Sequence, residues 1–488
     1  MTEILRGDGM KYILGYNVFH NLETIGIERK SEPLVKYTYK NGNGRLKSMT
    51  YANGHTMKAS YNSAGQMTSE KWFESEAQAA SSAEDDSITP MAHYKYVYDG
   101  QGNILRSIDV LGEKEYNYSY ENGRLVRATE SDITLTNEIV TAKTVIHTIR
   151  YYYDSEGQMT RKVISPTGGE EQTIYYENND SNTAVKFEAG GQNITSHSKT
   201  DSFGRKEFDE LQLGTGFVSR QFSYHMGEAT DEHVENEKLK SSPTTQLVSN
   251  IVFSDGRILS YEYDEEERIT KVTDKFNNEE IVTEYTYDAL GQLVTEISGG
   301  KTTKYEYDNY GNITAKGVCD ESGEIAEETK ITYSYDGTWK DLLTSYNGQL
   351  ITYDAQGNPI SYLGHTLTWE KGRQLKQFAK DDGTVIDYTY NANGIRTSKT
   401  IRTSENDAGV THTYTLDGTK ILRETWTKDN VEHTFIPIYD NEDVVCGIQY
   451  NGEPYYFQKN LQGDIIAIVD KNVNTVARYS YDAWGNAT

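Results

Sequence analysis

Seven times the chain reads Tyr-x-Tyr-Asp: at Tyr96, Tyr98 and Asp99; Tyr151, Tyr153 and Asp154; Tyr261, Tyr263 and Asp264; Tyr285, Tyr287 and Asp288; Tyr305, Tyr307 and Asp308; Tyr333, Tyr335 and Asp336; and Tyr479, Tyr481 and Asp482. In five of the seven a glycine follows the aspartate by three, as Gly102, Gly157, Gly291, Gly311 and Gly485. Degenerate copies fill the gaps, such as Tyr61 and Asn62 with Gly65, or Tyr390 and Asn391 with Gly394. Repetition constrains the fold more than any single residue, because each copy is one small unit that buries little surface until its neighbours stack on it.

Each element of the repeat has a physical reason. Tyrosines at i and i+2 lie on one face of a strand, where side chains alternate with period two. Asp at the first corner of a type I turn bonds the backbone ahead of it, and Gly at the fourth tolerates the positive φ that lets the chain reverse through a bulge. The unit is therefore strand, Asp-x-x-Gly corner, strand. At roughly 20 residues per hairpin the chain holds on the order of 40–50 short strands, a ribbon about 200 Å long. So long a ribbon must coil, pack in two layers or break into blades. Composition guides the choice. Hydrophobic residues are 36% of the chain and 39 residues are Tyr. The apolar remainder is thin for a two-layer core, which predicts an all-β, hollow spiral shell with a single-layer wall; a β-propeller and an open β-solenoid are the alternatives. The fourteen motif tyrosines are expected to stack ring on ring between neighbouring hairpins.

One region spans 1–488, interrupted by two expected flexible insertions, the acidic low-complexity stretch 75–93 and the charged stretch 225–246. Lys and Arg number 48 against 74 Asp and Glu, a net charge of −26. That sign argues against a nucleic acid or an anionic membrane as partner, and no apolar run is long enough to predict membrane insertion. Cys319 and Cys446 have no metal-site spacing. The repeat aspartates are read as turn caps rather than acid catalysts. No catalytic, cofactor-binding or metal-binding residue is assigned and no enzyme activity is expected. The cluster His225, Glu228, Asp231 and His233 motivates a distant alternative, a metal-dependent hydrolase. Tyr rows with Trp369, Trp426 and Trp484 motivate another, an adhesion module for cell-surface glycans or proteins.

The Tyr-x-Tyr-Asp-x-x-Gly units resemble the YD repeats of the RHS-repeat family, which includes bacterial polymorphic toxins, the shell component of insecticidal toxin complexes, and the teneurins. The resemblance runs from about residue 37 to 486. It is closest at 455–488, which resembles the run leading into the RHS-associated core of wall-associated versions. The resemblance implies a shell that encloses or displays a C-terminal toxin or effector domain, released by aspartate-dependent self-cleavage in the core. It also implies a secreted or cell-surface location. The family's cleavage motif lies beyond the Tyr481, Asp482, Trp484, Gly485 run, so no catalytic residue is carried over.

Overall fold

The computed structural model describes every residue except 1, 8, 41–43, 83–86, 180–181, 190–191, 214–215, 227–243, 405–406 and 488. Among the described residues the chain forms 41 strands and one short helix. Each strand pairs antiparallel with its sequence neighbours, from β1 (Glu3–Leu5) on β2 (Lys11–Tyr16) to β40 (Ile465–Asp470) on β41 (Thr475–Arg478). Among the described residues the ladder is interrupted once, at Ile351, where Gln349–Leu350 pairs only backward and Thr352–Tyr353 only forward, dividing it into sheets of 28 and 13 strands. Propeller blades would break this sequential pairing every few strands, whereas each of the two sheets is one long meander.

The ribbon winds upon itself. Arg6 bonds Asp341, Tyr151 bonds Asp417, Tyr261 bonds Leu461, and Glu296 bonds Ala483. Both partners rise together in sequence, so two passes of the ribbon run side by side in the same direction. Between the first and last of these links the first pass advances 290 residues (6 to 296) and the second 142 (341 to 483). The first pass uses the strands from Lys11–Tyr16 to Leu293–Ser298, the second those from Leu343–Tyr346 to Thr475–Arg478. At a constant strand spacing of ~4.8 Å, fewer strands over the same arc mean a shorter path. The second pass therefore runs inside the first.

Register shows which faces meet. In the first pass, β12 (Ile139–Tyr153) through β18 (Gly216–Met226) align Ile149 with Ile164, Ile174 with Phe187, Phe187 with Ile194, and Leu211 with Val218. These lie on the face that carries Tyr151, and each is at most 7% exposed. In the second pass, Ile436, Ile438, Tyr456 and Val469 lie on the face opposite Tyr439, at 0–3% exposed. The two sets form one apolar cluster. The tyrosine face of the outer pass thus meets the non-tyrosine face of the inner pass, the result of winding one ribbon in one sense; folding it back would join like faces. Its tyrosine face is concave in both passes.

The wall is therefore double along this arc, which corrects the single-layer expectation. Ile, Val, Leu and Phe are concentrated at facing positions here, a clustering that a chain-wide percentage averages away. Elsewhere the wall is thin. The chain exposes 27481 Å², whereas a compact monomer of 55.3 kDa exposes about 18,000 Å².

Of the stretch 75–93, residues 83–86 lie outside the described residues, and the parts on either side carry regular structure. Helix α1 (Glu76–Ser81) starts at Ser75, whose hydroxyl accepts from Gln78 N–H. Ala79 is buried at 3% and its carbonyl accepts from Lys58 Nζ at 2.7 Å, while Ala92 and His93 already belong to the strand Ala92–Tyr98. Of 225–246, residues 227–243 lie outside the described residues; His225 is in β18 and 244–246 begin the strand Thr244–Phe253.

Candidate functional site: the repeat rim and the seam between passes

At the corners of one rim, the aspartates cap their own turns. Asp99 Oδ1 accepts from the amides of Gln101 and Asn103 at 2.8 and 2.9 Å. Asp288 repeats this with Leu290 and Gln292, Asp308 with Tyr310 and Asn312, and Asp482 with Trp484 and Asn486. Asp154 accepts from Glu156, Gly157 and Gln158. In four corners the second oxygen takes a side-chain amide four residues on, as Asn103 does at 2.9 Å from Asp99. That bond, with the backbone amides, holds Asp99 below the usual carboxylate range; the Gln292 bonds do the same for Asp288. Carboxylates held in the ionised form by several hydrogen bonds are poor proton shuttles. The glycines Gly102, Gly157, Gly291, Gly311 and Gly485 have φ between +79° and +95°. At Gly157 an added Cβ would also fall 1.8 Å from the Arg124 guanidinium, which lies across the corner.

The two tyrosines of each repeat divide the work. In all seven motifs the second hydroxyl donates to a backbone carbonyl of the preceding hairpin: Tyr98 to Met67, Tyr153 to Leu125, Tyr263 to Val248, Tyr287 to Ile269, Tyr307 to Leu293, Tyr335 to Ile313 and Tyr481 to Ile465, at 2.7–2.9 Å. Each bond staples one hairpin to the last. The first tyrosine, on the same face, is the one free to meet the inner pass. Tyr151 donates to Asp417 Oδ1 at 2.7 Å, Tyr261 accepts from Leu461 N–H, and Tyr305 packs on Trp484. Tyr96 reaches Glu70 instead, Tyr479 is 40% exposed, and the pKa of Tyr285 is pushed up to about 12, chiefly by burial. Ring-on-ring contact, the expected role, is the lesser one: among the described residues only Tyr263, Tyr305 and Tyr333 of the fourteen make it.

At its leading end the seam is a polar clasp. Gly372 N–H donates to His55 Nδ1 at 3.0 Å. Gly372 O accepts from Asn53 and Asn358 side chains at 2.9 and 2.7 Å, both of which also bond Asp354 Oδ2. Ala52 N–H donates to Gln356 Oε1. Gly372 has φ +84°, and a Cβ there would fall 2.1 Å from the Tyr51 ring. Beside it, buried Lys371 donates to the Tyr94 hydroxyl at 2.8 Å. Sequence reading missed this clasp, since Lys371-Gly372 stands where the repeat would place Asp-x-x-Gly and nothing local marks His55 as its partner.

Other expectations resolve differently. Of the proposed metal cluster, Glu228, Asp231 and His233 lie outside the described residues; His225 Nε2 bonds Tyr261 O at 2.8 Å. Among the described residues there is no group of three potential ligands. Trp426 stands in a cross-strand ladder, its ring 4.6 Å from His412 and 5.3 Å from His433, which continues to Tyr450. The planes lie within 19° of parallel, so both indole faces are covered by imidazoles and are closed to a sugar. Trp369 Nε1 bonds Pro359 O; Trp484 is 51% exposed. Burial pushes the Cys446 thiol up to about 12, and both cysteines are free. Among the described residues no helix is long and apolar enough to cross a membrane.

A family model described as Teneurin YD-shell matches residues 237–488, 252 of the 488. The tRNA3(Ser)-specific nuclease WapA of Bacillus spizizenii is 32% identical over 206 residues, covering 41% of this chain and 8% of that protein. The tRNA nuclease WapA of Bacillus subtilis strain 168 is 32% identical over 205 residues, with the same coverage. The matched segment is thus a small part of these curated relatives. The crystal structure of TcdB2-TccC3-Cdc42 superposes with a TM-score of 0.70, at 15% identity, over 98% of this chain and 26% of that one. That likeness is one of fold.

Proposed function

We propose, from the premise that this chain belongs to the Teneurin YD-shell family of RHS/YD-repeat proteins, that it is a non-catalytic wall segment which encloses or displays a C-terminal toxin or effector domain of an exported protein. The observation that carries this reading is the concave-to-convex stacking of the two passes, which winds the ribbon around a space instead of closing it on a core. The exposed area, about half as large again as a compact monomer's, supports a wall with two free faces over much of its length. The repeat aspartates are engaged as turn caps, which supports a structural role for them.

The test is protection. The chain is expressed together with the polypeptide encoded directly downstream and exposed to a non-specific protease. The downstream polypeptide is expected to co-purify and to survive conditions that digest it when made alone. Digestion at equal rates in the two forms overturns the reading. Adhesion to glycans through Trp426 is not supported, because both faces of that ring are occupied.

A further inference from the structure

We propose that the clasp between turn 52–55 of the outer pass and turn 371–372 of the inner pass is an acid-released latch, with His55 as its proton-sensing residue. The proposal rests on the enclosure reading for its purpose, since loosening the seam opens the wall, but not for its chemistry.

An imidazole nitrogen that accepts a backbone N–H must be unprotonated. Gly372 N–H donates to His55 Nδ1 at 3.0 Å in a buried site, and His55 is 9% exposed. A proton arriving at Nδ1 sets two donors against each other with little water available to separate them. Gly372 must then withdraw. Because its carbonyl also holds Asn53 and Asn358, one displacement breaks three bonds between or beside the passes. Substitution cannot relieve the contact at Gly372, where a Cβ would meet Tyr51.

The charged groups around the ring set where this happens. Glu74 Oε2 lies 3.6 Å from Nε2, and Glu74 and Asp354 favour the protonated ring, while Lys376 opposes it. Glu370 and Lys371 adjoin Gly372 on its own turn. Burial is the largest influence and moves His55 below the ordinary imidazole range. The sign follows: a histidine kept neutral by the fold contributes stability that is present above its unfolded value of ~6.5 and is lost as pH falls through the lower folded value. At neutral pH the latch is shut. Farther along, the two passes meet mainly through buried apolar side chains, so acid loosens the clasp while the other end holds.

Hydrogen exchange on the isolated chain, followed by mass spectrometry and corrected for the intrinsic rate, tests the latch without any cargo. Between about pH 7.5 and pH 5, protection of the peptide containing Gly372 is expected to fall about tenfold while that containing Ile194 holds. His55→Asn places an unprotonatable acceptor near the Nδ1 position and is expected to flatten the response. Should that variant not fold, the wild-type His55 titration read by NMR must share its midpoint with the loss of protection, and Glu74→Gln must move both to lower pH. A pH-independent Gly372 peptide, an equal response in His55→Asn, or non-coincident midpoints would each overturn the latch and leave the enclosure reading untouched. Failure of cargo protection would overturn enclosure and leave the latch as measured.

Discussion

The two passes meet in two chemically different ways. Along β12–β18 the joint is a face-to-face apolar sandwich, with Ile438 at 1% and Tyr456 at 0% exposure. At the leading end it is a web of amides, an imidazole and a carboxylate around Gly372. The same repeat builds the ribbon under both. What differs is the residue at the facing positions, which decides whether one pass adheres to the next by burying area or by matching donors to acceptors. Apolar burial tolerates sliding and changes of pH; a hydrogen-bonded clasp fixes register and is broken by one proton. The repeat therefore specifies a ribbon, and its variable positions specify how the ribbon is wound.

The contrast can be broken most strongly at the apolar end. Ile438→Ala is expected to cost about 2–5 kcal/mol, the usual range for emptying a packed core site. Ile281→Ala, on a strand of the thin wall where Ile281 is 55% exposed, should stay within about 0.5 kcal/mol. Denaturant unfolding of the two variants measures the difference, and equal costs would contradict a doubled wall. Gly372→Ala addresses the polar end. It forces an L residue to φ +84° and into the Tyr51 ring, at about 1–3 kcal/mol from backbone strain alone. Exchange should rise around 52–55 and 371–374, and protection at Ile194 should be kept.

Much of the ribbon was legible in the sequence, because its rules are local. Asp99 and Gly102 specify a corner within five residues, and the period-two tyrosines specify a face. Residues such as Leu293 and Ile313, which resume the apolar pattern two positions after a turn glycine, turn out to offer the carbonyls that Tyr307 and Tyr335 hold. The winding was not legible. Its contacts join residues 187 to 335 positions apart, and Ile149 carries no mark that it will share an apolar cluster with Ile438. The doubled wall was missed for the same reason: a small apolar share over the whole chain hides a dense run of Ile, Val and Leu at the positions that face each other. The role of the tyrosines was misjudged because ring size suggests stacking, whereas a strand face places each hydroxyl over the neighbouring hairpin's backbone.

A smaller effect separates the two tyrosines of one repeat. Tyr287→Phe keeps the ring but removes the 2.7 Å bond to Ile269 O. A neutral hydrogen bond is worth about 0.5–1.5 kcal/mol net, so a loss near 1 kcal/mol is expected. Tyr305→Phe, which removes a bond to Glu296 at the inter-pass contact, should add a change in exchange near Ala483, because Glu296 also accepts from the Ala483 amide. Tyr287→Phe should leave that region unchanged. If both variants disturb the 483 region equally, the division between staple and seam tyrosines fails.

The least effect, and one of opposite sign, belongs to the corner that breaks the glycine rule. Glu267 occupies the position of Gly291 and Gly311 yet has φ +63°. An L side chain in this left-handed region costs roughly 1 kcal/mol, which glycine avoids while giving back part in chain entropy. The Glu267 amide still donates to Asp264 O at 3.1 Å, so the turn itself would be kept. Glu267→Gly is therefore expected to stabilise by up to about 1 kcal/mol, read as a higher denaturation midpoint with an unchanged m-value. Val473, at φ +65°, is the instructive control. Its side chain packs against the apolar cluster of the doubled wall, so Val473→Gly relieves the same strain but loses buried contacts. The two corners share a backbone conformation, and only Val473, on the inner pass, packs against the cluster between the passes and so has a reason to keep its side chain; a gain at Val473 as large as at Glu267 would show that the inner pass does not rest on that cluster there.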